Sequence, residues 1–288
     1  MTAPATFYKT ITIGRINCLD IKTRRKIIRE VMEEKIQLKS GTAKFWICII
    51  ALGILFVWLS PSRVEAKNLF LGFKKGEKSD SMPEGWELIS YFRRAKNKMS
   101  LSKEGKRTVL MVKSLGSASA ILKRPKVDLK TFPVLVWCWK INRVVGMAVE
   151  SRNERNDSAA RIRVIFGKRA GKPPQKPPDI LKFFKSLGFQ TGGVEPRGFK
   201  IDYIWGNTIP RGETIDYPGS KNHKMVIVQS GEERANRWVW EKRNLVEDYR
   251  QFFGGTPPGL AGIIVLTDTD NTNEGVTAHY SSIVMMSK

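Results

Sequence analysis

The chain is expected to be mainly β: a jelly-roll-like antiparallel β-sandwich with one short flanking helix and an N-terminal export or anchor helix. Three observations predict this. Ten short runs rich in β-branched and aromatic residues follow Gly85, separated by Gly, Pro, Asn or Asp clusters. Hardly any helical periodicity lies between them, which argues against the alternating strands and helices of a parallel α/β sheet. One uncharged apolar run, Phe45 to Leu59, stands well upstream of them all.

That run holds fifteen residues without a charge. A spanning helix needs about 20 apolar residues, whereas the core of a secretory leader needs roughly 7 to 15. Lys35, Lys39 and Lys44 precede it, Ser60-Pro61 breaks it, and Val64-Glu65-Ala66 has the form of a cleavage site, with the cut after Ala66. A retained single anchor is the alternative, with the membrane as partner through residues 45–59 and the basic segment 1–44 inside, as the positive-inside rule requires. Both readings place the main domain outside the cytoplasm, periplasmic or extracellular. Ile21 to Leu38 reads as a charged amphipathic helix, and residues 1–31 are too polar for a leader. Synthesis from Met32 would give a compact one; otherwise the segment is a cytoplasmic tail.

Net charge is +23, and residues beyond 66 keep 39 basic against 22 acidic groups, a net +17. Such an excess points to an acidic partner, a glycan or another anionic envelope component, or else serves only solubility. Nucleic acid is not expected, since no recognised binding motif accompanies the charge and export argues against it. Cys138 is the only cysteine beyond residue 66, so that part of the chain forms no internal disulfide and must hold through its core.

Residues 67–84 read as a linker. The predicted strands are Trp86–Phe92, Thr108–Lys113, Ser117–Leu122, Val134–Ile141, Arg161–Phe166, Phe199–Trp205, Lys224–Val228, Arg237–Trp240, Gly262–Leu266 and Ala278–Met286. Val134–Ile141 is apolar on both faces and reads as a central strand, with Trp137 and Trp139 in the core and Cys138 a small buried hydrophobe. Gly167 to Arg197 is a Lys- and Pro-rich insertion enclosing a helix candidate at Ile180–Leu187. Leu245, Tyr249 and Phe252 fall at helical spacing after Asn244, predicting a helix over Arg243–Phe253 packed on one end of the sandwich.

Alternation then sorts side chains. Arg161 and Arg163 share a face opposite Ile162, Val164 and Phe166, and Tyr203, Trp205 and Asn207 line up opposite Ile204. Two arginines, two aromatics and an amide, with Asp157 just ahead of the strand, form a candidate ligand face. Indole and phenol rings stack on sugar C–H groups, while planar guanidinium and amide groups pair with hydroxyls or carboxylates. The same aromatics would equally fill a core. The densest polar string is Thr267-Asp-Thr-Asp-Asn-Thr-Asn-Glu274. Asp268, Asp270 and Asn271 supply hard oxygens of the kind calcium prefers, although the helix-loop-helix calcium spacing is absent. An Asx-turn network closing a hairpin is an equal reading. Asp157, Glu232, Asp268 and Asp270 are candidate carboxylates for a glycan hydrolase or lyase. No nucleophile elbow, Walker loop or zinc cluster of histidines is present, which leaves triad and zinc chemistry poorly supported.

Gly85-Trp-Glu-Leu-Ile, Pro133-Val-Leu-Val-Trp-Cys-Trp-Lys140, Ala160-Arg-Ile-Arg-Val-Ile-Phe166, Tyr203-Ile-Trp-Gly-Asn207 and Thr267-Asp-Thr-Asp-Asn-Thr272 form an ordered series. It resembles the bacterial family known as domain of unknown function 3047, over about residues 84–286. The resemblance implies an exported domain with a jelly-roll sandwich, and no particular activity. The leading expectation is therefore an exported β-sandwich that binds a cell-envelope or extracellular glycan. A glycan-degrading enzyme and a non-catalytic envelope scaffold are the alternatives.

Overall fold

The computed structural model describes residues 67–287 apart from 77–78, 80–81, 92 and 168–193. The leader or anchor, the amphipathic N-terminal helix and the Ile180–Leu187 helix lie outside the described residues. Among the described residues no helix is long and apolar enough to cross a membrane.

Two sheets face each other in a jelly-roll-like sandwich. The first has the order β11-β6-β13-β4-β3, with β1 also alongside β13. Its strands are β1 (Asn68–Phe70), β3 (Lys98–Glu104), β4 (Arg107–Leu115), β6 (Val134–Ile141), β11 (Val239–Asn244) and β13 (Gly275–Met286). The second has the order β2-β5-β12-β7-β8-β10-β9. It comprises β2 (Trp86–Ser90), β5 (Ala118–Lys123), β7 (Ser158–Phe166), β8 (Phe199–Gly206), β9 (Thr214–Tyr217), β10 (Ser220–Ser230) and β12 (Leu260–Asp268). Neighbouring strands within each sheet are antiparallel except β8 and β10, which run parallel.

The apolar alternation of β6 explains its place between β11 and β13. Its inward residues Leu135, Trp137, Trp139 and Ile141 are wholly buried, and so is Cys138 on the opposite face. Trp137 packs on Tyr203 at 5.3 Å and edge-on to Trp139 at 5.5 Å, and Trp139 meets Trp205 at 5.9 Å. These rings bridge the two sheets, and truncating any one to alanine should cost about 3–5 kcal/mol.

Two expectations are corrected here. Residues 67–84 do not form a linker throughout: β1 pairs with β13, and Leu71 and Phe73 are buried in the main core. The five-residue ligand face also divides. Ile162 stands opposite Tyr203 and Arg163 opposite Asp202. Directly paired residues project to the same side of a sheet. Tyr203 and Trp205 therefore join Ile162 and Val164 between the sheets, and the arginines face the other way.

The single α-helix of the described residues, α1 (Leu245–Phe253), begins where Asn244 accepts from the N–H groups of Val246 and Glu247 at 3.2 and 3.3 Å. Tyr249 seats it against Phe166 and Phe199 at 4.9 and 5.6 Å, and Tyr203 Oη donates to Asp248 Oδ2 at 2.6 Å. Asn244→Ala removes the cap and should lower stability by about 1 kcal/mol, a drop of roughly 2–4 °C in Tm by calorimetry.

Candidate functional site

The outward face of the second sheet carries charges that are almost entirely buried. Asp202 on β8 is fully enclosed, while Arg161 and Arg163 on β7 are 1% and 6% exposed. Arg163 grips Asp202 through two bonds, Nε to Oδ1 at 2.7 Å and Nη2 to Oδ2 at 2.9 Å, and Arg161 Nη1 adds a third at 3.1 Å. The remaining guanidinium bonds of Arg161 go to Ser158 Oγ and to the carbonyl and side chain of Asn156. Arg163 Nη1 reaches Glu195 at 3.1 Å, and His223 Nε2 lies 2.9 Å from Asp202 Oδ1. Burial alone would raise the Asp202 carboxyl, yet the charges of Arg163 and His223 hold it well below the usual carboxylate range. Burial keeps His223 below the ordinary histidine value, with Tyr217 stacked flat on its ring at 4.2 Å. The arginines expected to meet a ligand are thus committed to tying β7, β8 and β10 together.

Asn207 is likewise committed. Its amide donates to the carbonyls of Gly146 and Ala148, and its N–H donates to Glu150 Oε1. Trp205 donates to the Gly231 carbonyl at 3.0 Å.

Asp157 sits with the acidic string rather than with the arginine-aromatic set. Carboxylate oxygens of Asp157, Asp268 and Asp270 lie within 4.8 Å of one another. Asp157 is already saturated: Oδ1 accepts from the N–H and amide of Asn271, and Oδ2 from the N–H and hydroxyl of Thr272 at 2.8 and 2.7 Å. Asn271 thus turns its donor, not its oxygen, toward the cluster. Asp270 Oδ2 pairs with Arg94 Nε at 2.9 Å, and the Asp270 N–H points at Asp268 Oδ1 as in an Asx turn. Burial, then the Asp270 and Asp157 charges, against the pull of Arg161, push the Asp268 carboxyl up to about 7. One proton and Arg94 therefore neutralise much of the cluster, and the hydrogen bonds serve turn closure. Glu232 is exposed in the turn after β10, on a different element from the three aspartates.

The outward face of the first sheet holds a site that strand counting missed. Val239 points into the core, so its neighbours Trp238 and Trp240 both project outward, and Trp240 is 52% exposed. The tip of the β3–β4 hairpin brings in two charges. Glu104 accepts from Trp238 Nε1 at 3.0 Å and from Lys140 Nζ at 2.9 Å. The Arg107 guanidinium lies over both indoles, 5.8 Å from Trp238 and 5.6 Å from Trp240, and Lys140 Nζ lies 5.0 Å from Trp238. These contacts hold the two indoles as an aromatic platform against Arg107 and Lys140, with Glu104 pairing Lys140. Beneath it Arg107 Nη1 stands 3.9 Å from the buried thiol of Cys138, which burial pushes up to about 11. The signal was present in Arg237-Trp-Val-Trp240, with aromatics two residues apart around a small apolar residue.

The family model described as "Protein of unknown function (DUF3047)" matches residues 84–284. The chain belongs to this family. The match spans both sheets of the DUF3047 domain from β2 to all but the last residues of β13. Among solved structures, a mutant family 29 carbohydrate-binding module complexed with cellulohexaose is 10% identical, with TM-score 0.33, covering 78% of this chain and 93% of that one. The Trichoderma harzianum endoglucanase 3 from family GH12 is 8% identical, with TM-score 0.35, covering 78% and 99%. No match is found among curated proteins.

Proposed function

We propose that this domain binds a glycan on the outward face of its first sheet, through Trp238, Trp240, Arg107 and Lys140. One observation carries the reading: Trp240 is half exposed beside Trp238, and one guanidinium holds both. An exposed indole continuous with a second, half-buried one and rimmed by charged groups is the kind of surface that interaction sites use. Indole faces stack on the C–H faces of pyranose rings, and the flanking cations supply donors to hydroxyls. The export read from residues 45–66 would bring this platform to the envelope, where such polymers lie.

Binding of the full chain to an array of envelope polysaccharides, followed by calorimetry on the hits, is the direct test. Trp240→Ala should weaken binding by roughly 2 kcal/mol, or about 30-fold in Kd, with Tm unchanged. Absence of any hit, or an unaltered Kd in Trp240→Ala, would remove the proposal. The carboxylates give weaker support to a hydrolase or lyase, because Asp157 is saturated and Glu232 stands on another element.

A further inference from the structure

The platform does not end at Arg107. It continues into an open cleft of about 390 Å³ rimmed by Lys74, Lys75, Lys106 and Arg107, with Ser281 and Ser282 among its lining. Strand pairing explains the cleft. On this edge β13 is paired with β4 only as far as Tyr280, opposite Leu110, and with β1 from Val284, opposite Phe70, with one further bond from the Leu71 N–H to the Ile283 carbonyl. Between them the β13 register shifts, and Ser282 takes a φ of +42°, a conformation a serine rarely adopts. Backbone held in this way at a bulge is found where a site is being shaped.

The chemistry of the lining is one-sided. Lys74 pairs with Glu84 at 2.6 Å. Among the described residues, no carboxylate lies within ion-pair distance of Lys75, Lys106 or Arg107. Ser281 is almost fully buried, and its hydroxyl has only 3.4 Å contacts, to the Thr108 carbonyl and to Ser282 Oγ. Its donor is barely used. Three cations and two hydroxyls gathered in a notch suit an oxyanion.

We infer that the glycan is acidic: a polymer carrying carboxylate, sulfate or phosphate groups, with a sugar ring on Trp238 and Trp240 and a neighbouring oxyanion in the cleft. This rests on the glycan-binding proposal and narrows its substrate class. Arg107 belongs to both parts, so ring stacking and anion pairing are read by one continuous surface.

Calorimetry with the full chain separates the two claims, using polygalacturonate, dextran sulfate and neutral dextran at low and high salt. The acidic polymers should bind about tenfold or more tighter than dextran at low salt, with the margin shrinking as salt screens the cleft. Which acidic polymer binds better distinguishes a carboxylate site from a sulfate site, and either result supports the inference. The Lys75→Gln/Lys106→Gln double variant, altered at two exposed positions, should lose that margin and keep the Tm. Equal binding of dextran and the acidic polymers overturns the inference and leaves glycan binding standing. An unchanged margin in the double variant overturns it too. Binding of none of the polymers at a platform that also fails on the array removes both. Capture by vesicles containing anionic phospholipid, with no acidic polymer bound, overturns the inference and assigns the cleft to lipid headgroups.

Discussion

Asp202→Ala is expected to lower the unfolding free energy by about 3–5 kcal/mol, the cost typical of removing one partner from a buried ion pair. The carboxylate is fully enclosed and receives three hydrogen bonds from two guanidinium groups that are themselves buried. Removing it leaves Arg161 and Arg163 as like charges in a site without bulk water, and only Glu195 remains to balance Arg163. For a domain of this size the fall in Tm should be roughly 8–15 °C. Urea unfolding of wild type and variant, with equal m values, measures it. A triple change, Asp202→Leu with Arg161→Met and Arg163→Met, should recover much of the loss, because replacing the whole buried set removes the desolvation cost along with the attraction, while Glu195 keeps Lys200 as its partner. A loss below 1 kcal/mol in Asp202→Ala would mean that water reaches this face and that the arginines are free for a ligand after all.

Asp268→Asn is expected to stabilise the protein by a margin that grows as pH rises from about 4 to 7. The Asp268 carboxyl is raised from 3.8 to about 7 in the folded state. Between those values the folded protein holds a proton that the unfolded chain has released, so wild-type stability falls as pH rises from about 4 to 7 and then levels. Asparagine has no proton to lose. The variant should therefore match wild type below about pH 3.5 and exceed it by on the order of 2 kcal/mol at pH 8, below the full value of the shift because the neighbouring carboxylates titrate together. Thermal unfolding of both proteins from about pH 3.5 to 8.5 gives the comparison, and a difference that does not change with pH would refute the assignment. The same variant addresses catalysis. Turnover of a polysaccharide that vanished in a stabilised Asp268→Asn protein would assign the carboxyl to chemistry instead of to the turn.

The platform and the core make the clearest contrast between sequence and structure. Trp137 with Trp139 and Trp238 with Trp240 have the same two-residue spacing, and both pairs lie on strand-forming runs of the first sheet. The first pair is wholly buried, whereas Trp240 is exposed and Trp238 half-buried. Spacing says only that the members of a pair share a face. Which face meets the second sheet depends on residues far away in the chain, here Tyr203 and Trp205 on β8.

Local patterning by itself determined a good deal. The β6 run, with apolar residues on both faces, marked a central strand with the bounds found, Val134–Ile141. Asn244 and the spacing of Leu245, Tyr249 and Phe252 marked α1, because a cap and one apolar stripe are local properties. Short β runs between turn residues marked a two-sheet sandwich. Three strands escaped this reading, namely β1, β3 and β9. β1 has only three residues, and β3 and β9 lie at sheet edges with polar sequences such as Lys98-Met-Ser-Leu-Ser-Lys-Glu104, where edge position removes the need for an apolar face. Only the tertiary structure decided the site. Alternation sorts the residues of one strand, but the register between strands sets which faces merge, so Arg163 met Asp202 and Tyr203 met Ile162. Pairing over long sequence separations also brought Arg107 from one hairpin onto two tryptophans more than a hundred residues later, and left the gap beside Ser281 where two neighbouring strands stop short.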